Sequence, residues 1–128
     1  ISQSGNLLAV GAWGADMDGK ENAGAVYLYR MESNGTGTYL TKLSAPDGVA
    51  QDWFGSSVSV LNNIIVVSAS GADHNGTGDV GAAYVFRVDS NESVTYATYL
   101  TKLTARDATA YSYFGNPVSQ TGDLWGIF

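Results

Sequence analysis

The sequence predicts an all-β protein built from repeated four-stranded units. Two stretches of the chain copy each other: GAWGAD, ending at Asp16, aligns with SASGAD, ending at Asp73, and GAVYLYR, ending at Arg30, aligns with GAAYVFR, ending at Arg87. Both pairs lie 57 residues apart. Charged residues make up only 14% of the chain, whereas Gly and Tyr are abundant, a composition typical of short strands joined by tight turns.

The repeat continues downstream with a small insertion. TYLTKLSA at residues 38–45 aligns with TYLTKLTA at residues 98–105, now 60 residues apart, so three residues were added in one turn. Phe54-Gly55 likewise aligns with Phe114-Gly115, and VSQTGDLW from Val118 resembles the opening ISQSGNLL. Within a longer polypeptide we therefore expect one repeat, incomplete at its start, at residues 1–55, a second at 56–115, and the start of a third at 116–128.

Within the complete unit each strand has its own signal. Residues 57–61 alternate in polarity, an Asn62-Asn63 turn follows, and residues 64–68 are a continuous β-branched run, as expected for a central strand covered on both faces. Beyond a Gly-rich loop we predict two further strands, at residues 82–88 and 96–104. Four strands per period are typical of a β-propeller blade, which is a four-stranded antiparallel sheet.

Composition and charge argue against several functions. The formal net charge is −6 and no Lys/Arg cluster is present, so we do not expect nucleic acid as a partner. No apolar run approaches the roughly 20 residues needed to cross a bilayer, so we expect no membrane span in this segment. His74 is the only histidine, there is no cysteine, and no carboxylates are arranged as a catalytic pair. We therefore predict that the protein is not an enzyme and requires no cofactor.

The repeated motifs resemble those of a known family. The pattern F-G-x-S-V at residues 54–58, the strand G-x-x-Y-V-F ending at Phe86 and a closing K-L-x-A-x-D are similar to the FG-GAP repeat. This repeat forms the blades of the β-propeller in integrin α subunits and in many secreted proteins of microbes and protists. The opening motif recurs at Phe114 with a departure at Asn116-Pro117, and the GAP element lacks its proline in both copies.

The resemblance implies a seven-bladed ring in an extracellular or cell-surface protein. Two repeats do not close such a ring, so either further blades lie in the same polypeptide or several chains assemble. The implied partners are neighbouring blades or subunits, with glycans as a further candidate. Integrin-type blades bind calcium through a D-x-D-x-D-G turn, but Leu61-Asn62-Asn63 occupies that turn here, so those calcium sites are not expected.

A different acidic group lies in a later loop of the first repeat. Asp16, Asp18 and Glu21 flank Gly19, and carboxylate oxygens in a tight turn are ligands that Ca²⁺ prefers. In the second repeat only one of the three equivalent positions is acidic. Two interpretations therefore stay open, a calcium site and a solvated acidic loop.

Three N-glycosylation sequons fall in predicted turns, at Asn34, Asn75 and Asn91. Asn34 and Asn91 are equivalent positions in successive repeats. We predict that at least one of the three carries a glycan if the protein is secreted by a eukaryote.

Three aromatic side chains have two interpretations. Trp13, Trp53 and Tyr113 lie beside the Gly-Ala and Phe-Gly motifs, where aromatic rings either fill the packing between blades or contact a sugar or protein; packing is the favoured interpretation. Lys42 and Lys102 occur in the repeated TYLTKL, where a charge on an edge strand discourages unwanted pairing.

Two functions follow from these observations. The first is a non-enzymatic extracellular segment, N-glycosylated, that mediates adhesion or builds a cell-surface or filament structure. The alternative is a carbohydrate-binding lectin that assembles a propeller from short chains. The fold by itself does not choose between them.

Overall fold

The computed structural model describes residues 1–73, 78–90, 95–107 and 109–120, and its regular elements are all β-strands. Two four-stranded antiparallel sheets have the orders β1-β2-β3-β4 and β5-β6-β7-β8. In the described residues no helix is long and apolar enough to cross a membrane. The strands are β1 (Ser2–Ser4), β2 (Leu7–Ala12), β3 (Ala25–Met31), β4 (Gly37–Leu43), β5 (Phe54–Leu61), β6 (Ile64–Ala69), β7 (Ala82–Ser90) and β8 (Thr95–Leu103). The predicted all-β class and the four-stranded blades are confirmed.

Tight two-residue turns set the register of the first strand pair in each sheet. Ser4 pairs with Leu7 across the first turn, and Leu61 pairs with Ile64 across the second. The left-handed backbone of Asn62, with φ of 54°, suits such a turn because Asn tolerates positive φ better than most residues.

The central strand of the second sheet is the one that the sequence predicted. In β6 the side chains of Ile65 and Val67 are fully buried, and the strand pairs on both sides, with β5 and with β7. A continuous β-branched run fits this place because both faces are largely covered: Ile64 and Ile65 are 1% and 0% exposed, and only Val66 is partly exposed.

Other strand limits differ from the sequence prediction. β5 begins at Phe54, three residues earlier than predicted, because a register shift between Phe54 and Ser57 lets the strand pass an irregularity and still pair with β6. β7 runs two residues past the predicted end, since Asp89 and Ser90 still pair with β8. Residues 91–94, between β7 and β8, lie outside the described residues.

One hydrophobic core joins the two sheets. Phe54 is fully buried and its ring meets Tyr84 and Phe86 edge-to-face, with centroids 5.5 and 6.0 Å away. Such contacts add to the burial of apolar area because the positive ring edge faces the negative ring face. The cluster draws on both sheets, including Ala9, Val26, Leu28 and Leu43 from the first and Val58, Ile65, Val67 and Tyr84 from the second.

A short backbone ladder fastens the second sheet to the first. The N–H groups of Gln51, Trp53 and Phe54 donate to the carbonyls of Glu21, Asn22 and Ala23 at 2.8, 3.1 and 2.9 Å. The same ladder recurs one repeat later, where Tyr111, Tyr113 and Phe114 donate to Gly78, Asp79 and Val80 at 3.1, 3.1 and 2.8 Å. Parallel bridges Gly24–Phe54 and Gly81–Phe114 complete the two copies.

Gly24 is required at the first of these ladders for two reasons. Its φ of +89° lies in the left-handed region, and a Cβ at this position would overlap the backbone of Phe54. Gly35 has almost the same φ, +88°, but a Cβ there would meet nothing within 4 Å. A comparison of Gly24 with Gly35 therefore separates the cost of backbone strain, which both positions share, from the cost of the close approach of the two sheets, which only Gly24 has.

We expect Gly24→Ala to destabilise the protein far more than Gly35→Ala. The strain of positive φ costs about 1–2 kcal/mol at either position, and the overlap with Phe54 adds about 1–3 kcal/mol at Gly24 alone. Urea unfolding followed by circular dichroism measures both changes. Equal losses of unfolding free energy would show that the close approach at Gly24 does not hold the sheets together.

Candidate functional site

An open cavity lies at the junction of the sheets and is called here the Trp cavity. It has a volume of about 310 Å³. Its lining consists of Trp13, Trp53, Ser56, Ser70 and Asn116. All five side chains are uncharged, and they combine aromatic surface with hydroxyl and amide groups.

The two indoles are positioned by different elements. Trp13 follows β2 and is 55% exposed, whereas Trp53 precedes β5 and is half-buried. The backbone ladder holds Trp53 at a φ of 57°, and the two rings meet edge-to-face with centroids 6.1 Å apart. The Nε1 atom of Trp53 is buried and has no hydrogen-bond partner in the described part of the chain.

Serine side chains fix one wall of the Trp cavity. The Ser56 and Ser68 hydroxyls are hydrogen-bonded to each other at 2.8 Å, and the Ser70 N–H donates to Ser56 Oγ at 3.3 Å. This network holds β5 to the end of β6. Ser56 is therefore a structural part of the wall.

Tyr113 does not join the two tryptophans. It occupies the place of Trp53 one repeat later, with a φ of 53°, and is 39% exposed outside the lining of the Trp cavity. The predicted sugar or protein contact at Trp13, Trp53 and Tyr113 remains a prediction, and only its two tryptophans lie together.

The acidic loop of the first repeat is held by its own backbone. Asp16 Oδ1 accepts a hydrogen bond from the Asn22 N–H at 2.9 Å, and Asp73 accepts from the Asp79 N–H at the same distance in the second repeat. Among the residues with described positions, no three His, Cys, Asp or Glu side chains form a group that suits a metal ion. Asp16, Asp18 and Glu21 thus do not converge, and calcium binding there stays an untested prediction.

The first sequon lies at the tip of the β3–β4 hairpin. Asn34 is exposed, and its Oδ1 accepts hydrogen bonds from the Thr36 N–H at 3.0 Å and the Thr36 hydroxyl at 2.7 Å. The other two predicted sites, Asn75 and Asn91, lie outside the described residues.

The loop between the sheets also carries an ion-pair cluster. Asp47 accepts a hydrogen bond from the Tyr84 hydroxyl at 2.6 Å and pairs with Lys102 Nζ at 2.7 Å, while Nζ lies 5.3 Å from the centre of the Tyr84 ring. We call Asp47, Tyr84 and Lys102 the Asp47 clamp. In the first sheet Lys42 lies 5.4 Å from the centre of the Tyr27 ring in the same way.

Sequence reasoning missed the Asp47 clamp. The sequence suggests that Lys102 is a charge on an edge strand. In the structure its ion-pair partner, Asp47, comes from a loop of the previous repeat. The available signal was the recurrence of Tyr, Lys and Asp at equivalent positions of both repeats, in G-x-x-Y and K-L-x-A-x-D.

The part of the chain that contains Asp47 and Tyr84 matches a family model. Residues 38–86 match the FG-GAP repeat, from the start of β4 through most of β7. The chain carries an FG-GAP repeat. A search among curated proteins finds no match. FG-GAP repeats are typically non-enzymatic structural or binding units of extracellular or cell-surface proteins.

The electrostatics of this FG-GAP unit follow from burial and pairing. Partial burial works to raise the pKa of Asp47, but the hydrogen bonds from Lys102 and Tyr84 and the charge of Lys102 outweigh it and hold that pKa below its usual value. Burial, followed by the hydrogen bond to Asp47, raises the pKa of the Tyr84 phenol. Burial also raises the pKa of Asp52, more than the hydrogen bond from the Val49 N–H at 3.0 Å lowers it.

We expect Asp47→Ala to lower the unfolding free energy by about 1–3 kcal/mol, because it leaves the fully buried Tyr84 without its hydrogen-bond partner. In a Tyr84→Phe background the same change should cost less, since the hydroxyl is already gone. Urea unfolding of the two single variants and the double variant measures this coupling.

Asp107→Ala, at the exposed equivalent position, is the matched control and should change stability by less than about 0.5 kcal/mol. Strict additivity of the first two changes would contradict the clamp.

The clamp should also give the FG-GAP unit an acid-sensitive component of stability. Because the folded-state pKa of Asp47 is lowered, its stabilisation is complete above the ordinary value of 3.8 and is lost as the pH falls through the lowered one. The raised pKa of Asp52 acts with the opposite sign, so the test is a comparison of variants. Unfolding free energies from about pH 6 to about pH 2.5 should fall less steeply in Asp47→Asn than in the unmodified chain, while Asp107→Asn should keep the original slope. Identical slopes for Asp47→Asn and the unmodified chain would show that Asp47 does not make the stability sensitive to acid.

Proposed function

We propose that the protein is a non-enzymatic, N-glycosylated β-propeller segment that mediates adhesion or builds a cell-surface or filament structure. The observation that carries this proposal is the recurrence of one junction along the chain. The ladder that seats Phe54 on the first sheet seats Phe114 on the second in the same way. Units joined by such a repeated contact build one continuous scaffold in which each unit contacts its neighbours.

A partly open face of the second sheet supports the same role. Leu43 is 5% exposed because the second sheet covers it, whereas its equivalent Leu103 is 47% exposed. Leu103, Val66 and Val85 help to line an apolar groove of about 490 Å³, and Phe114 and Val118 also contribute to its lining. Neighbouring blades or subunits are the partners that fit this face.

Glycosylation at the β3–β4 hairpin supplies the test of the extracellular role. In the full-length polypeptide secreted from eukaryotic cells, we expect an N-glycan on Asn34, whose exposed turn leaves room for the sugar. Peptide mass spectrometry before and after enzymatic removal of N-glycans should detect it. Asn34→Gln and Thr36→Val should both abolish it.

Thr36→Ser is the matched control, because it keeps the hydroxyl that the sequon requires, and it should retain the glycan. An unmodified Asn34 in polypeptide that has passed through the secretory pathway would contradict the predicted glycosylation. A native protein confined to the cytosol would contradict the extracellular role.

Carbohydrate binding is the second candidate function, for a propeller that assembles from short chains. The specific observation in its favour is the Trp cavity, where exposed aromatic surface adjoins uncharged polar groups.

A further inference from the structure

We infer that the Trp cavity binds a single neutral hexopyranose ring, with Trp13 as the stacking surface and Asn116 as the hydrogen-bonding partner of a sugar hydroxyl. This inference rests on the carbohydrate-binding candidate, and it names the site and the class of ligand.

The first argument is that the fold does not need a tryptophan at residue 13. The equivalent position in the second repeat is Ser70, which packs in an intact blade. Trp13 is 55% exposed, so its ring contributes far less buried area than a core indole does. Trp13 does pack edge-to-face on Trp53 at the junction, but more than half of its surface stays exposed, so it also offers a stacking face to a ligand.

The second argument is that Trp53 supports the stacking surface from beneath. Its ring meets Trp13 edge-to-face with centroids 6.1 Å apart, and the backbone ladder fixes its position. The indole nitrogen of Trp53 is buried, so this residue holds the Trp13 ring and does not itself bond the sugar.

The third argument is the match between the lining and a sugar ring. A pyranose presents C–H groups on one face, which carry slight positive charge and suit the negative face of an indole, while its hydroxyls need polar partners. Asn116 is exposed in the lining and supplies such a partner, whereas Ser70 is only 4% exposed and forms part of the wall. A cationic ligand fits less well, because none of the five lining side chains is a carboxylate.

Size limits the ligand to one ring. The volume of about 310 Å³ lies at the lower end of the range of small-molecule pockets, about 300–1,000 Å³. One ring in an open cavity with few polar partners predicts weak binding, with a dissociation constant of about 1 mM.

The test titrates the full chain with four probes: the methyl glycosides of glucose, galactose, mannose and N-acetylglucosamine. Ligand-observed NMR and indole fluorescence report binding to at least one of them.

Trp13→Ser introduces the residue that the second repeat carries, so the fold should tolerate it, and binding should weaken at least about tenfold. Tyr39→Ser is the matched control, since Tyr39 is also 55% exposed but lies outside the Trp cavity, and its affinity should stay within about twofold of the original.

Asn116→Ala tests the polar partner in the Trp cavity. The change removes an exposed amide, so binding should weaken about threefold to tenfold while the melting temperature stays close to that of the unmodified chain. Unchanged affinity in Asn116→Ala would remove this hydrogen bond from the proposal.

The outcomes separate this inference from the functions proposed above. Binding that survives Trp13→Ser would overturn the site but leave carbohydrate binding by another surface. Failure of all four glycosides to bind at about 100 mM would overturn the site and the carbohydrate candidate together. Neither result affects the structural role, which is judged from secretion and from the glycan on Asn34.

Discussion

The close approach of backbone to backbone at Gly24 and Phe54 is the constraint on which the two-sheet arrangement depends. Three hydrogen bonds and a parallel bridge bring the loop before β5 against the loop before β3, and this contact leaves no room for a Cβ at Gly24. With the two backbones held in this way, the Phe54 side chain packs against Tyr84 and Phe86. The hydrophobic core between the sheets is therefore built around a residue that the backbone ladder positions.

This arrangement explains why charged and polar groups collect beside the junction. The loop from β4 to β5 must cross the edge of the second sheet before it reaches Phe54, and Asp47 lies on that path. Its carboxylate satisfies the Tyr84 hydroxyl, which would otherwise be buried without a partner, and neutralises Lys102. A long-range contact of 37 residues in sequence thus fastens one repeat to the next in addition to the apolar core.

The same junction creates the Trp cavity. Trp53 immediately precedes Phe54, so the ladder that seats the phenylalanine also fixes the indole, with positive φ, beside Trp13. The structural and binding proposals are therefore compatible, since the scaffold that joins the blades also shapes the pocket. At the second junction the equivalent residues are Ser70 and Tyr113, so the tryptophan pair occurs at the first junction and not at the second.

The sequence by itself determined the all-β class, the repeat, the four strands of each unit and the central strand β6, because alternation and β-branched runs are local properties of strands. Gly24 and Gly81 recur before equivalent strands of the two repeats, a local pattern that is typical of a backbone position that excludes Cβ. Only the tertiary structure decided which side chains meet: Asp47 with Tyr84 and Lys102, Trp13 with Trp53 but not with Tyr113, and the separation of Asp16, Asp18 and Glu21. The physical reason is that these contacts depend on the path of a loop between sheets and on the twist of one blade against the next, which no local pattern of residues encodes.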